Sequence, residues 1–235
     1  MVRRPRPPLT PTLKKFRHGI CKFRRKESRD ALYNATTRLL KMDWSDNQSI
    51  DPRLVAEDLG VLLLTWNRAY YRSGKLSFDD LAGAIRDQLP MLKDFRSRKI
   101  NSWREGDEEI FRKLFKAFDE ALRVPGDGGR RHSPVSVSKA LHLLCPDFFP
   151  LWDQYIAAEY GCSYKKKDPL NAYIRFVELT KDRVGEISKF LLDEPELLSA
   201  NGFCKTPLKL FDEYNYATIT LPKLEAKRKS RQRAA

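Results

Sequence analysis

The sequence predicts an all-α fold, and three observations carry that expectation. Apolar residues recur at intervals of three and four almost throughout the 235 residues, which is the period of an amphipathic helix. Helix starts are signposted by a Ser, Thr or Asp followed by Pro, at Thr10-Pro11, Asp51-Pro52, Ser133-Pro134, Asp168-Pro169 and Thr206-Pro207. In that pairing a side-chain oxygen caps the first turn, and proline takes a position whose N–H has no helical partner. Strand-like residues are confined to Thr218–Leu221, too few to define a sheet. A chain of this length buries a substantial core, as one domain or as two helical lobes.

Along the chain, residues 1–9 set Pro5, Pro7 and Pro8 among arginines and read as a flexible, extended basic arm. Thr10-Pro11 then opens a basic helix with Leu13, Phe16, Ile20 and Phe23 on one face. A second helix is expected from about Arg29 to Met42, and a longer one from Pro52 through Trp66 and Tyr70 to Tyr71, ended by Ser73-Gly74. Ser77 caps the next helix, with Asp80 three positions on as a short capping box. Asp107–Leu122 carries a stripe of Ile110, Phe111, Leu114, Phe115, Phe118 and Leu122, and residues 125–129 form the clearest break. Four more helices follow: Ser133 to Leu144, Phe149-Pro150 to Tyr160, Asp168 to Leu192 and Thr206 to Tyr216. The expected organisation is a helical body over residues 10–222, with a basic tail at 223–235.

Charge narrows the function classes. The formal net charge is +14. Residues 1–29 hold 11 Lys or Arg against one Glu, and residues 223–235 hold six against one, so the stretch between them is nearly neutral. Basic blocks of this kind mark arms that lie on a polyanion, which makes a nucleic acid the expected partner. The longest aliphatic run, Val61–Leu64, is far shorter than a membrane span, and no signal-peptide pattern follows the basic start. Cys21, Cys145, Cys162 and Cys204 are widely separated and His18, His132 and His142 are scattered, so neither a metal site nor a cofactor is expected. The expectation is a cytoplasmic, monomeric protein with free thiols and no membrane partner.

Residues 133–155 concentrate the candidate chemistry. Small residues lead into a helix whose first turns present Lys139, and N–H groups around Ser136 and Ser138 are placed to hold a phosphate at its start. A second turn delivers Asp153 at the head of the next helix. This pattern resembles the helix-hairpin-helix DNA glycosylases over about 25 residues. The resemblance places Val135–Ser138 in the hairpin, Lys139 at the lysine of the bifunctional members and Asp153 at the essential aspartate. It differs in having serines for the hairpin glycines, a shorter Lys-to-Asp spacing, and Pro150-Leu151-Trp152 ahead of the aspartate. What it implies is base flipping and excision of a damaged or modified base, including the hypermodified bases of phage DNA. Asp153 would stabilise the positive sugar and activate water or the Lys139 amine; Lys139 is either that nucleophile or a phosphate contact.

Further candidates are a base pocket or wedge from Trp66, Asn67, Arg68 and Trp152, and DNA contacts from Arg96, Arg98, Lys99 and Arg104 around Trp103. Arg130, Arg131 and His132 precede the candidate hairpin, and Lys165, Lys166 and Lys167 follow the Asp153 helix. The paired acids Asp79-Asp80 and Glu108-Glu109 fall at helix starts, where the helix dipole accounts for them. A non-catalytic nucleic-acid-binding protein on the same helices remains open, as does a helical protein whose basic segment meets an acidic partner or anionic lipid.

Overall fold

The structure, a computed structural model, describes residues 8, 10–28, 30–44, 50–72, 75–126, 129–164, 168–200 and 203–233. The all-α expectation holds. In chain order the helices are α1 (Leu13–Lys26), α2 (Asp30–Asp43), α3 (Pro52–Trp66), α4 (Arg68–Tyr71), α5 (Phe78–Asp87), α6 (Leu89–Arg96) and α7 (Asp107–Ala121). They continue with α8 (Pro134–Leu144), α9 (Gln154–Glu159), α10 (Pro169–Asp193), α11 (Pro207–Asn215) and α12 (Leu221–Arg233), the last two joined by a π turn, Tyr216–Thr220. Two small antiparallel hairpins interrupt them: β1 (Val124–Gly126) with β2 (Gly129–Arg131), and β3 (Ser199–Ala200) with β4 (Phe203–Cys204). Among the described residues no helix is long and apolar enough to cross a membrane. The chain divides into two compact units, Arg29–Phe149 and a second one assembled from both ends, Met1–Ser28 with Pro150–Ala235.

In the Arg29–Phe149 unit α3 is central, packing on α2, α5 and α8. Val55, Leu59, Leu62 and Leu63 are fully buried along it. A Cβ at Gly60 would meet the Phe78 ring of α5, which would have to shift to admit it. Phe95, Phe111, Phe148 and Phe149 form a buried aromatic cluster with centroids 4.6 to 5.2 Å apart. Buried side chains of this size each contribute roughly 1.5–3 kcal/mol on transfer from water. Ser77 caps α5 as expected, its hydroxyl accepting from Asp80 N at 3.1 Å.

The expected helix from Pro52 to Tyr71 is broken. Asn67 leaves helical geometry (φ −110°, ψ 29°), its N–H still reaching Leu63 O, and α4 restarts the chain at Arg68. The physical reason is that the Asn67 side chain is drawn into contacts with α8, described below. Val135–Ser138, which the resemblance places in a hairpin turn, lie within α8; a two-stranded antiparallel ribbon, β1–β2, precedes that helix, with Val124 opposite Arg131.

In the other unit α1 lays Phe16, Gly19, Ile20 and Phe23 inward and keeps Lys14, Lys15, Arg25 and Lys26 exposed. Phe16 meets Tyr214 at 5.6 Å and Phe23 meets Tyr216 at 5.7 Å. α1 starts later than expected because Thr12, not Thr10, is its cap; Thr10 instead accepts from Arg183 of α10 at 2.9 Å. The helix expected from Pro150 starts at Gln154, since Asp153 is the residue whose side chain can cap it.

The C-terminal end differs most from expectation. Residues 218–221 form no strand, and the basic tail expected at 223–235 is helical through Arg233. Pro222 has no N–H to give the carbonyl four residues back. The wide turn just before it, closed by Leu221 N–H to Tyr216 O, carries the chain past that gap. The basic arm expected at residues 1–9 lies, apart from Pro8, outside the described residues.

Candidate functional site

Asp153 is half-buried at the N-cap of α9. Its Oδ1 accepts from Tyr155 N at 2.7 Å and Ile156 N at 2.8 Å, taking up two donors that the first helical turn leaves without partners. Its Oδ2 accepts from the Thr220 hydroxyl at 2.6 Å, presented by the π turn. Both carboxylate oxygens are therefore oriented by the fold. Lys223, just inside α12, pairs with Glu159 at the other end of α9 at 2.8 Å and lies 6.0 Å from the Tyr155 ring centroid.

Lys139 belongs to the Arg29–Phe149 unit. Its ammonium donates to Asn67 Oδ1 and, at 3.4 Å, to Trp66 O, and it sits 5.6 Å from the centroid of the Trp66 ring. Asn67 in turn donates to Ser136 Oγ at 2.8 Å, and Ser136 Oγ donates to Ser133 Oγ at 2.8 Å. Trp66 stacks on Tyr33 at 14°. The Tyr33 hydroxyl is 2.9 Å from His142 Nε2, and His142 Nδ1 is 2.7 Å from Phe149 O. A carbonyl only accepts, so Nδ1 carries the proton, and in the neutral ring Nε2 accepts from Tyr33. The packing of α3 on α8 thus brings Trp66, Asn67, Ser136 and Lys139 into one polar relay, whereas Arg68 is exposed outside it.

Several expected DNA contacts are otherwise engaged. Ser136 and Ser138 are buried; Ser136 N donates back to Ser133 O at 2.8 Å, Val137 N to Ser133 O at 3.1 Å, and the Ser138 hydroxyl to Val135 O at 3.0 Å. These groups hold the first turn of α8 instead of facing a phosphate. Trp152, expected in the base pocket, is a core residue at 1% exposure, 5.1 Å from Tyr173 and 5.3 Å from Tyr164. The Arg96 guanidinium donates to Leu144 O and to Leu40 O (3.5 Å), so it closes the C-terminal turns of α8 and α2, and burial holds its pKa below the usual value. Arg98 forks onto both oxygens of Asp107 at 2.9 and 2.5 Å and reaches Asp94 at 2.9 Å. Burial works to raise the Asp107 pKa, but the Arg98 hydrogen bonds prevail and lower it.

Lys99 and Arg104 are exposed. Arg131 lies over the Tyr70 ring at 5.6 Å and donates to Tyr70 O at 3.3 Å. His132 Nδ1 is 2.5 Å from Asp119 Oδ2. Arg130 is placed in β2 by its backbone pairing with Pro125. Lys165, Lys166 and Lys167 lie outside the described residues.

Sequence reasoning missed a second charged cluster, in the unit that holds Asp153. Lys205 pairs with Glu213; Lys209 lies 3.1 Å from Asp212 Oδ2 and 3.5 Å from Glu213 Oε1. The side chains of Lys205, Lys209 and Glu213 have no exposure at all. Phe23 of α1 presents its ring to both cations, at 5.8 Å from Lys205 and 4.7 Å from Lys209. Burial pushes the Asp212 carboxyl up, against the opposing pull of Lys209. The signal was the i, i+3, i+4 spacing of Lys209, Asp212 and Glu213 on a helix whose other face is apolar. No family model, no curated protein and no solved structure matches the chain.

Proposed function

We propose that the protein is a DNA glycosylase: its basic segments hold the phosphate backbone, and Asp153 acts on a nucleotide flipped out of the stack. The observation that carries this reading is the setting of Asp153, a half-buried carboxylate with one oxygen fixed by the α9 backbone and the other by Thr220. A carboxylate so oriented serves a reaction in which positive charge develops on the sugar. As the bond from C1′ to the base breaks, its electron pair leaves with the base. Asp153 stabilises the oxocarbenium-like sugar and accepts the proton of the water that adds to C1′, leaving an abasic site.

The test is Asp153→Asn. Asparagine caps a helix about as well as aspartate, so α9 keeps its N-terminus while the charge is lost. Mass spectrometry of bases released from damaged DNA and from naturally modified phage DNA is expected to show release by the native chain. In the variant, release should fall by about 100-fold or more with DNA binding retained. Unchanged release by the variant, or no release by the native chain from any of these DNAs, overturns the reading. Borohydride trapping of a protein–DNA adduct, abolished in Lys139→Gln, would assign a Schiff-base nucleophile to Lys139.

One observation favours a second reading, in which the protein binds DNA without cutting the glycosidic bond. The Lys139 ammonium is already directed at Asn67 and Trp66, and the first-turn N–H groups of Ser136 and Val137 are already bonded. That reading keeps the partner and expects no base release.

A further inference from the structure

We propose that α12 is a docking helix for the sugar–phosphate backbone of duplex DNA; this deepens the DNA-acting reading above and rests on its choice of partner. From Glu225 to Arg233 every residue is exposed, and these nine residues carry Lys227, Arg228, Lys229, Arg231 and Arg233 against the single Glu225. The helix buries no side chain. Residues 223, 227 and 231 fall in one row at i, i+4 spacing, and 229 and 233 in another.

Three arguments select the partner. A helix that lies on a lipid surface or in a protein groove needs an apolar face, and beyond Leu224 α12 offers only Ala226. Second, its like charges at i, i+4 oppose helix formation, and a 13-residue helix with no buried face is marginal in water. Phosphates along it relieve the repulsion that an uncharged partner would leave in place. Third, its length of about 20 Å covers roughly six base-pair steps of the duplex axis. The start of the helix is also fixed: Thr220 is held by Asp153, and Lys223 by Glu159 at the far end of α9. The cations therefore project from a defined point beside the Asp153 helix.

The experiment uses the full chain and a 20-base-pair duplex, with binding measured across a salt series. The variant Lys227→Gln, Arg228→Gln, Lys229→Gln, Arg231→Gln is compared with a control of equal charge change on exposed positions elsewhere, Lys75→Gln, Arg86→Gln, Lys93→Gln, Lys116→Gln. If about three of the four α12 cations meet phosphates, the slope of log K against log salt shrinks by about 2 to 3 in the variant. The control is expected to change it by less than about 1. Hydrogen exchange over residues 221–233 should slow when duplex is added, and stay unchanged with single-stranded DNA short of saturation or with vesicles containing phosphatidylserine. Equal slope changes in the two variants overturn the proposal, as does protection by vesicles and not by duplex. Absence of base release would sink the glycosylase reading and leave these binding results intact.

Discussion

The two units bury polar groups in different ways. In the Arg29–Phe149 unit the interior holds neutral groups that pass hydrogen bonds along a chain: Tyr33 with His142, and Asn67 with Ser136 and then Ser133. Its buried carboxylate, Asp107 at 3% exposure, is met by an arginine that keeps 13%. The other unit buries ions outright, with Lys205, Lys209 and Glu213 at zero exposure. Neutral relays lose one modest bond at a time. A buried ionic cluster stands only while its charges cancel, because each ion has surrendered its hydration. The proposed site residues inherit this division: Lys139 ends a neutral relay, and Asp153 shares a unit with the ionic cluster.

The sharpest way to break that contrast is Glu213→Ala. It removes the carboxylate that two buried ammonium groups, Lys205 and Lys209, share, and is expected to cost about 3–5 kcal/mol, read from urea denaturation of the full chain. Replacing the group together (Lys205→Met, Lys209→Met, Asp212→Asn, Glu213→Leu) should cost much less; equal losses would mean that charge balance is not what holds the cluster. Asn67→Ala removes the donor to Ser136 and the acceptor for Lys139, and about 1–2 kcal/mol is expected by the same measurement. Tyr33→Phe takes only the hydroxyl from His142, for about 1 kcal/mol. A loss on the scale of Glu213→Ala at either position would erase the difference between the units.

The smallest effect concerns pH. Asp58 on α3 is pushed up to about 6, first by burial and then by the hydrogen bond and charge of Asp43. The folded state therefore binds this proton more tightly than the unfolded chain. Stability falls as pH rises from about 4 to about 6 and loses nothing further through this group above that. Asp58→Asn should raise the melting temperature at pH 7 and leave it unchanged near pH 4. The gain is less than about 1 kcal/mol, because solvent reaches this carboxyl and screens it. An equal gain at both pH values would rule out the carboxyl pair as its source.

How much was legible in the sequence follows from how local each signal was. Ser77, Ser133, Asp168 and Thr206 act on N–H groups three residues away, and all four cap helices as their pairing with the next residues predicted. Thr10 and Phe149-Pro150 carried similar signals and failed, because Thr12 and Asp153 lay closer to where the apolar stripe begins. The break at Asn67 was invisible, since its cause lies 69 positions on at Ser136. Arg96 and Arg98 read as surface charge because nothing local shows that Leu144, Leu40 and Asp107 would claim their donors. Asp153 was found by its position before an apolar run; Thr220, which fixes its second oxygen, was hidden in a segment with strand-like residues.

The assembly of one unit from both chain ends sets an order of events during synthesis. Residues up to Phe149 can close their core while the rest of the chain is still being made. α1 cannot, because Phe16 and Phe23 find Phe190, Tyr214, Lys209 and Tyr216 only once the chain has been made through residue 216. α1 is therefore made before its partners and seated after them. Through that interval it presents an apolar stripe bordered by lysines and arginines. Its closure also joins residues about 200 positions apart, the kind of long-range contact that slows folding.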